Sequence, residues 1–130
     1  MFHVVDDELL IRELLKSMIT GAGYGVRCFD SALSYLEHTD TSGFRPPTAL
    51  ITDYKMPEMN GYELMCEVRK RFPFMRVVLV SGAVSPSDLT DMTEMVCYGM
   101  SKPFRVHKLV GMLDALHACE QHCSPGENCY

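Results

Sequence analysis

The sequence lacks an excess of positive charge, a long apolar run and any repeated or low-complexity segment. Twelve lysines and arginines stand against 17 aspartates and glutamates, so the formal charge is −5 and a nucleic-acid-binding role is not expected. No apolar stretch approaches the roughly 20 residues of a membrane span, and no targeting segment is visible. With 130 residues, 47% of them hydrophobic, the composition predicts one globular cytoplasmic domain with a substantial core.

The sequence contains a regular alternation of short apolar runs and segments with helical periodicity. The predicted strands are residues 2–5, 25–29, 48–52, 76–80 and 98–100. The predicted helices are residues 9–19, 31–38, 62–72, 86–95 and 106–119, all with approximate ends. The apolar stripe of the first helix consists of Leu10, Ile11, Leu14, Leu15 and Met18. Because strands that alternate with helices form parallel sheets, we predict an α/β fold with a doubly wound sheet.

Polar residues follow four of the predicted strands, at the edge where open parallel sheets bind their ligands. In the order of strands one, three, four and five, these residues are Asp6 and Asp7, Asp53, Ser81, and Lys102. Each residue alone is most often a turn former, a helix cap or an ordinary surface group. As a set, the three carboxylates would repel one another unless a cation lay between them, and a few carboxylates characteristically hold Mg²⁺. A lysine and a hydroxyl beside them are the groups that a phosphoryl oxygen requires.

Four segments resemble the receiver domain of bacterial response regulators. They are residues 4–8 (VVDDE), 53–61 (DYKMPEMNG), 80–82 (VSG) and 102–104 (KPF). The segments occur in the family's order and at its normal spacing, and the resemblance covers about residues 2–119. It implies a flavodoxin-like fold with five parallel strands in the order 2-1-3-4-5 and five helices. It also implies a receiver domain over residues 1–119, followed by a flexible tail or linker remnant at 120–130.

The resemblance implies a phosphorylation site with a bound metal ion. Asp53 is the expected nucleophile, which becomes an aspartyl phosphate. Asp6 and Asp7 are expected to hold Mg²⁺ together with the carboxylate of Asp53 and the backbone carbonyl of Lys55, and Mn²⁺ could substitute. The cation would offset the repulsion between an anionic nucleophile and an anionic phosphoryl group.

Two further groups are expected to contact the phosphoryl group. The resemblance implies that the Ser81 hydroxyl hydrogen-bonds a phosphoryl oxygen and that Lys102 pairs with the phosphoryl group. The domain would catalyse only its own phosphorylation and dephosphorylation and would not be an enzyme with an external substrate. The implied partners are a sensor histidine kinase or a phosphotransfer protein, and a downstream effector or output domain. A phosphorylation-dependent dimer is left open, and no membrane contact is expected.

The segment before Lys102 departs from the family pattern. The family commonly signals through a Tyr or Phe three residues before this lysine, but that position is Gly99 and the aromatic residue is Tyr98. Because side chains alternate between the faces of a strand, either Tyr98 lies on the opposite face or the strand is shifted in register. We expect the aromatic part of the switch to be absent. Since Ala83, two residues after Ser81, cannot position a water, the phosphoryl group should not be especially short-lived.

Three of the six cysteines lie close to the end of the chain. Cys119, Cys123 and Cys129 are near His117 and His122, and His117, Cys119, His122 and Cys123 are of the residue types that bind zinc. A structural zinc site needs a closed four-ligand set with turn geometry, and one helix cannot direct all four ligands at one point. We therefore expect a frayed terminus or a linker, with disulfides in an oxidising buffer as an alternative.

Two other functions share parts of this pattern. A phosphatase of the haloacid-dehalogenase type also uses an aspartate nucleophile, Mg²⁺, a hydroxyl and a lysine. Such enzymes place a second aspartate two residues after the nucleophile, where this chain has Lys55. A pseudo-receiver would be a binding module with the same fold and no phosphorylation, and the presence of the acidic pair, Asp53 and Lys102 disfavours it. The sequence identifies neither the kinase nor the output.

Overall fold

The computed structural model describes residues 1–81, 98–101 and 105–122. Its strands are β1 (Phe2–Val5), β2 (Val26–Phe29), β3 (Ala49–Asp53), β4 (Val77–Ser81) and β5 (Tyr98–Ser101). Its helices are α1 (Leu9–Gly21), α2 (Ala32–Thr39), α3 (Gly61–Arg71) and α4 (Val106–His122). The helix predicted over residues 86–95 lies outside the described residues. The last helix continues past the predicted end at residue 119.

The strands form one parallel sheet in the order β2-β1-β3-β4-β5. Phe2 of β1 pairs with Val26 on one side and Ala49 on the other, and Asp53 at the end of β3 pairs with Val80. All residues of β1 and β3 are buried, as expected for strands covered on both faces. The predicted α/β fold with a parallel sheet is confirmed.

Helices cover both faces of the sheet and create two apolar cores. The core under α1 and α4 includes Val4, Leu15, Ile19, Ile51, Val78, Leu109 and Leu113. The core under α2 and α3 includes Val5, Tyr35, Leu50, Leu64, Val68 and Val77. Consecutive strand residues therefore enter opposite cores, because side chains alternate along a strand.

The buried face of α1 differs from the predicted stripe. Leu15 and Ile19 are buried, whereas Leu10 is 82% exposed and Leu14 is 46% exposed. Successive helical residues are about 100° apart, so the sheet covers the arc around Leu15 and leaves its neighbouring arc in solvent. The prediction was wrong for Leu10 and Leu14. None of the helices in the described ranges is long and apolar enough to cross a membrane.

Candidate metal site at the carboxyl ends of the strands

Four carboxylates meet where β1 and β3 end. Asp6, Asp7, Glu8 and Asp53 can each offer one oxygen such that all four oxygens lie within 4.8 Å of one another. Asp6 and Asp53 are buried, whereas Asp7 and Glu8 are exposed. The cluster therefore has a buried floor and a side that is open to solvent. The structure brings together the three acids predicted from the sequence and adds Glu8, which was not among the predicted site residues.

The turn between β1 and α1 holds Asp6 in place from three directions. The backbone N–H of Asp6 donates to the carbonyl of Phe29 in β2 at 3.2 Å. The backbone N–H of Glu8 donates to Asp6 Oδ1 at 2.9 Å, and Arg12 Nη1 donates to the Asp6 carbonyl at 2.7 Å. These contacts hold the backbone of Asp6 and its Oδ1 in the turn.

Backbone hydrogen bonds hold Asp53 at the end of β3. Asp53 pairs with Val80, and the N–H of the next residue, Tyr54, donates to the Val80 carbonyl at 2.9 Å. The N–H of Gly61 then donates to the Tyr54 carbonyl at 2.8 Å, which closes the loop between β3 and α3. The carboxylate of Asp53 thus extends from a strand end whose backbone is held by the neighbouring strand and by the loop that follows.

The first residue of α3 must be a glycine because its backbone lies directly against Asp53. A Cβ on Gly61 would collide with the Asp53 carbonyl oxygen and would lie 2.9 Å from Leu79 Cδ1. A capping box sets the start of this helix: Glu63 N–H donates to Asn60 Oδ1 at 2.8 Å, and Asn60 N–H donates to Glu63 Oε1 at 3.1 Å. The cap and the glycine together bring α3 close to the strand that carries Asp53.

A cavity of about 280 Å³ opens beside the acidic cluster. Its lining residues are Asp7, Asp30, Ser31, Met56, Pro57 and Glu58. Glu58 has a φ of 68°, in the left-handed region that non-glycine residues rarely adopt. Such a conformation costs about 1–3 kcal/mol, and strained residues of this kind cluster at functional sites. The cavity gives a group of another molecule space next to the carboxylates.

The other predicted site residues are described only in part. Ser81 ends β4 at the same edge of the sheet and pairs with Ser101 of β5. Lys55 is exposed, two residues beyond Asp53. Lys102 lies outside the part of the chain that the structure describes.

The register of β5 bears on the missing aromatic residue. Gly99 pairs with Leu79, and Tyr98 pairs with Val78. β5 therefore pairs with β4 residue for residue, from Tyr98 with Val78 to Ser101 with Ser81. Of the residues in the zinc alternative, Cys123 lies outside the described residues, as does Cys129 of the disulfide alternative.

The acidic cluster fits a hard divalent cation. Carboxylate oxygens are ligands that Mg²⁺ prefers, and a site open on one side lets the ion keep several waters. Carboxylates this close together destabilise one another unless a cation lies between them. Asp6, Asp7 and Asp53 are the donors that agree with the sequence prediction, and Glu8 is a further acid within the same distance.

Comparisons with known proteins agree with this arrangement. The model of the response regulator receiver domain family matches residues 2–114. The DNA-binding transcriptional regulator NtrC of Klebsiella pneumoniae is 30% identical over 115 residues, covering 85% of this chain and 23% of NtrC. The response regulator protein TodT of Pseudomonas putida is 27% identical over 117 residues, covering 87% of this chain and 49% of TodT. The chain therefore spans less than half the length of each of these two relatives.

Solved structures agree on the fold. A response regulator receiver domain protein from Clostridium thermocellum superposes with a TM-score of 0.83 at 24% identity, covering 92% of this chain and 95% of that one. The receiver domain of NtrX from Brucella abortus gives a TM-score of 0.79, also at 24% identity, covering 89% and 97%. With a family match over most of its length and an acidic cluster at the expected edge, the chain belongs to the response regulator receiver domain family of two-component systems.

Proposed function

We propose that Asp53 accepts a phosphoryl group from a sensor histidine kinase or a phosphotransfer protein, and that the resulting conformational shift changes partner binding. The observation that carries this proposal is the convergence of Asp6, Asp7 and Asp53 at one edge of the sheet. A nucleophile at a strand end, beside two acids suited to holding a cation, is an arrangement for phosphoryl transfer.

The residues around Asp53 have separate roles in this proposal. Asp6, Asp7, Asp53 and the backbone carbonyl of Lys55 would hold Mg²⁺, or Mn²⁺ in its place, which supplies positive charge that offsets the repulsion between carboxylate and phosphoryl group. An oxygen of Asp53 forms the new bond to phosphorus while the bond between phosphorus and the donor breaks. The hydrogen bonds of the β3–α3 loop keep that oxygen oriented during the transfer.

Two groups would stabilise the phosphorylated state. Ser81 would donate its hydroxyl hydrogen to a phosphoryl oxygen, and Lys102 would pair with the phosphoryl charge. The position of Ser81 at the end of β4, next to the strand that ends in Asp53, supports its part in this role. The domain would release the phosphoryl group to water by its own chemistry and turn over no external substrate.

Phosphorylation with a small donor tests the proposal directly. Acetyl phosphate with Mg²⁺ should add the mass of one phosphoryl group to the intact chain, and beryllofluoride should bind in its place. Asp53→Ala should remain unmodified. Asp40 is an exposed acid at the C-terminal end of α2, and the control variant Asp40→Asn should be modified like the wild type. A wild type that stays unmodified with acetyl phosphate and with a cognate kinase would contradict the proposal and favour a pseudo-receiver.

The signal would pass to a downstream effector or an output domain. The relative NtrC is named as a DNA-binding transcriptional regulator, and this chain covers only 23% of it. With a formal charge of −5, this domain is not expected to contact nucleic acid itself. Sedimentation with and without beryllofluoride would show whether phosphorylation also produces a dimer.

A further inference from the structure

A second cavity lies at the end of the sheet opposite to the acidic cluster. Its volume is about 380 Å³, and its lining comes from residues 46–47, before β3, and residues 71–76, before β4. Asp53 is at the other end of β3, and a strand of this length separates the two ends by roughly 13 Å. The cavity is thus separate from the candidate phosphorylation site. We call it the distal groove.

The distal groove has an apolar surface that the fold holds in place. Phe74 is 60% exposed, although its neighbour Met75 is buried. The Met75 N–H donates to the Phe72 carbonyl at 3.0 Å, and Arg69 Nε donates to the Met75 carbonyl at 3.3 Å. The Phe72 ring packs on Phe44, with their centroids 5.0 Å apart. An ordered turn therefore presents the Phe74 ring to solvent, and binding there would require little additional ordering.

The charge around the distal groove is opposite in sign to that of the whole chain. Five basic residues lie in or beside its two connections: Arg45, Arg69, Lys70, Arg71 and Arg76. Among the acids that pair with this group, Asp40 lies 3.2 Å from Arg71, and Glu67 lies 2.9 Å from Lys70 and 3.5 Å from Arg71. A chain with a formal charge of −5 thus carries a basic end. That end can attract a small acidic group, while the net charge disfavours an extended polyanion.

We propose that the distal groove docks an acidic peptide segment of a partner protein. An apolar side chain of that segment would pack on Phe74 and the prolines at 46–47, and its carboxylates would face the guanidinium groups of Arg71 and Arg76. Arginine suits this role because its planar guanidinium matches the geometry of a carboxylate. An apolar centre with a charged rim is also the usual composition of a protein-binding surface. The groove would give the domain a contact that does not compete with phosphorylation at Asp53.

NMR titration of the isotope-labelled domain with a designed peptide tests this proposal. The probe is a peptide of about 12 residues in which glutamates flank a central phenylalanine. We expect it to change the amide chemical shifts of Arg45 and of residues 69–76 other than Pro73, since the prolines have no backbone N–H. Binding should weaken about tenfold in Phe74→Ala and about fivefold in Arg71→Gln, and it should weaken further with added salt. Leu33→Ala and Lys16→Gln, which alter exposed side chains on α2 and α1, are the matched controls and should bind like the wild type.

Three results would overturn the proposal. The first is an equally tight interaction with a peptide that carries glutamine in place of every glutamate. The second is an absence of shift changes at residues 69–76 with millimolar peptide. The third is a dimer of the free chain that Phe74→Ala dissociates, which would make a second copy the occupant of the distal groove. Because Phe74→Ala should still be labelled by acetyl phosphate, failure here is distinguishable from failure of the proposed function.

Discussion

His3 is a buried histidine within an aromatic cluster. It is 4% exposed, and its Nδ1 lies 2.9 Å from the Tyr35 hydroxyl oxygen. The ring centroids of His38 and Phe44 are 6.0 and 5.9 Å from that of His3. Burial, followed by the nearby positive charges of His38 and Arg27, lowers the pKa of His3 to about 4. The imidazole is therefore neutral in the folded chain at neutral pH, and it contributes to packing and not to phosphoryl chemistry.

We predict that His3 makes the domain less stable as the pH falls from about 6.5 toward 4. The unfolded chain protonates this histidine near its ordinary pKa of about 6.5, whereas the folded chain does so only near 4. Protons then favour the unfolded state, and the free energy of unfolding should fall by about 1–2 kcal/mol between pH 7 and pH 5. Urea denaturation at the two pH values measures this change. His3→Phe should lose the decline, and His107→Gln, at an exposed histidine, should keep it. An equal decline in His3→Phe and in the wild type would rule out this origin.

The sequence predicted the acids of the site because a general rule of parallel sheets applies to them. Asp6, Asp7 and Asp53 each follow an apolar run, and strand ends of one sheet share an edge. Glu8 was missed because a third acid after a strand is equally typical of a first helical turn in solvent. Only the geometry of the turn, in which the Glu8 N–H bonds Asp6, shows that its side chain can reach the cluster. Lys102 stays a prediction.

At the scale of elements, periodicity predicted the strands and helices in the described ranges to within a few residues. The exposed face of α1 was not predictable in the same way. Its apolar residues cover an arc wider than the sheet contacts, and the sequence does not indicate which part of that arc is buried. Leu15 and Ile19 enter the core because β1 and α4 lie beneath them, whereas Leu10 and Leu14 extend beyond that contact. The predicted start of α3 was one residue late, because the capping box of Asn60 and Glu63 begins the helix at Gly61.

The close approach of α3 to β3 leads us to a second prediction, which concerns Gly61. Gly61→Ala should lower the free energy of unfolding by about 1–3 kcal/mol, because the new methyl group collides with the Asp53 carbonyl and with Leu79. The same displacement should slow labelling by acetyl phosphate, since it moves the backbone of the nucleophile. Gly111→Ala is the control. Apart from its own helix backbone and chain neighbours, no atom in the described part of the chain lies within 4 Å of a Cβ there, and the substitution should stabilise α4 by about 0.5–1 kcal/mol. A Gly61→Ala variant with wild-type stability and labelling rate would contradict this account.

At the scale of the whole molecule, acidic and basic side chains of the described residues are concentrated at opposite ends of the sheet. Acids gather at the carboxyl ends of the strands, and arginines gather around the distal groove at the opposite end. The net charge of −5, known from the sequence, gave no indication of this separation. It depends on the parallel arrangement, in which the described loops after strands lie at one edge of the sheet and the described loops before strands lie at the other. The acidic end can therefore attract a cation, and the end with the distal groove can attract an anionic group.

The acidic end leads to a prediction for the stability of the whole domain. Four carboxylates within 4.8 Å of one another oppose folding, and an ion that binds only the folded chain stabilises it by mass action. At a concentration of about ten times its dissociation constant, Mg²⁺ should raise the free energy of unfolding by about 1.4 kcal/mol. Thermal denaturation in MgCl₂ and in NaCl of equal ionic strength separates binding from screening. Asp6→Asn should be more stable than the wild type without Mg²⁺, because one repelling charge is gone, and should gain less when Mg²⁺ is added. If Asp6→Asn gained as much from Mg²⁺ as the wild type, the ion would be stabilising the domain from somewhere other than this cluster.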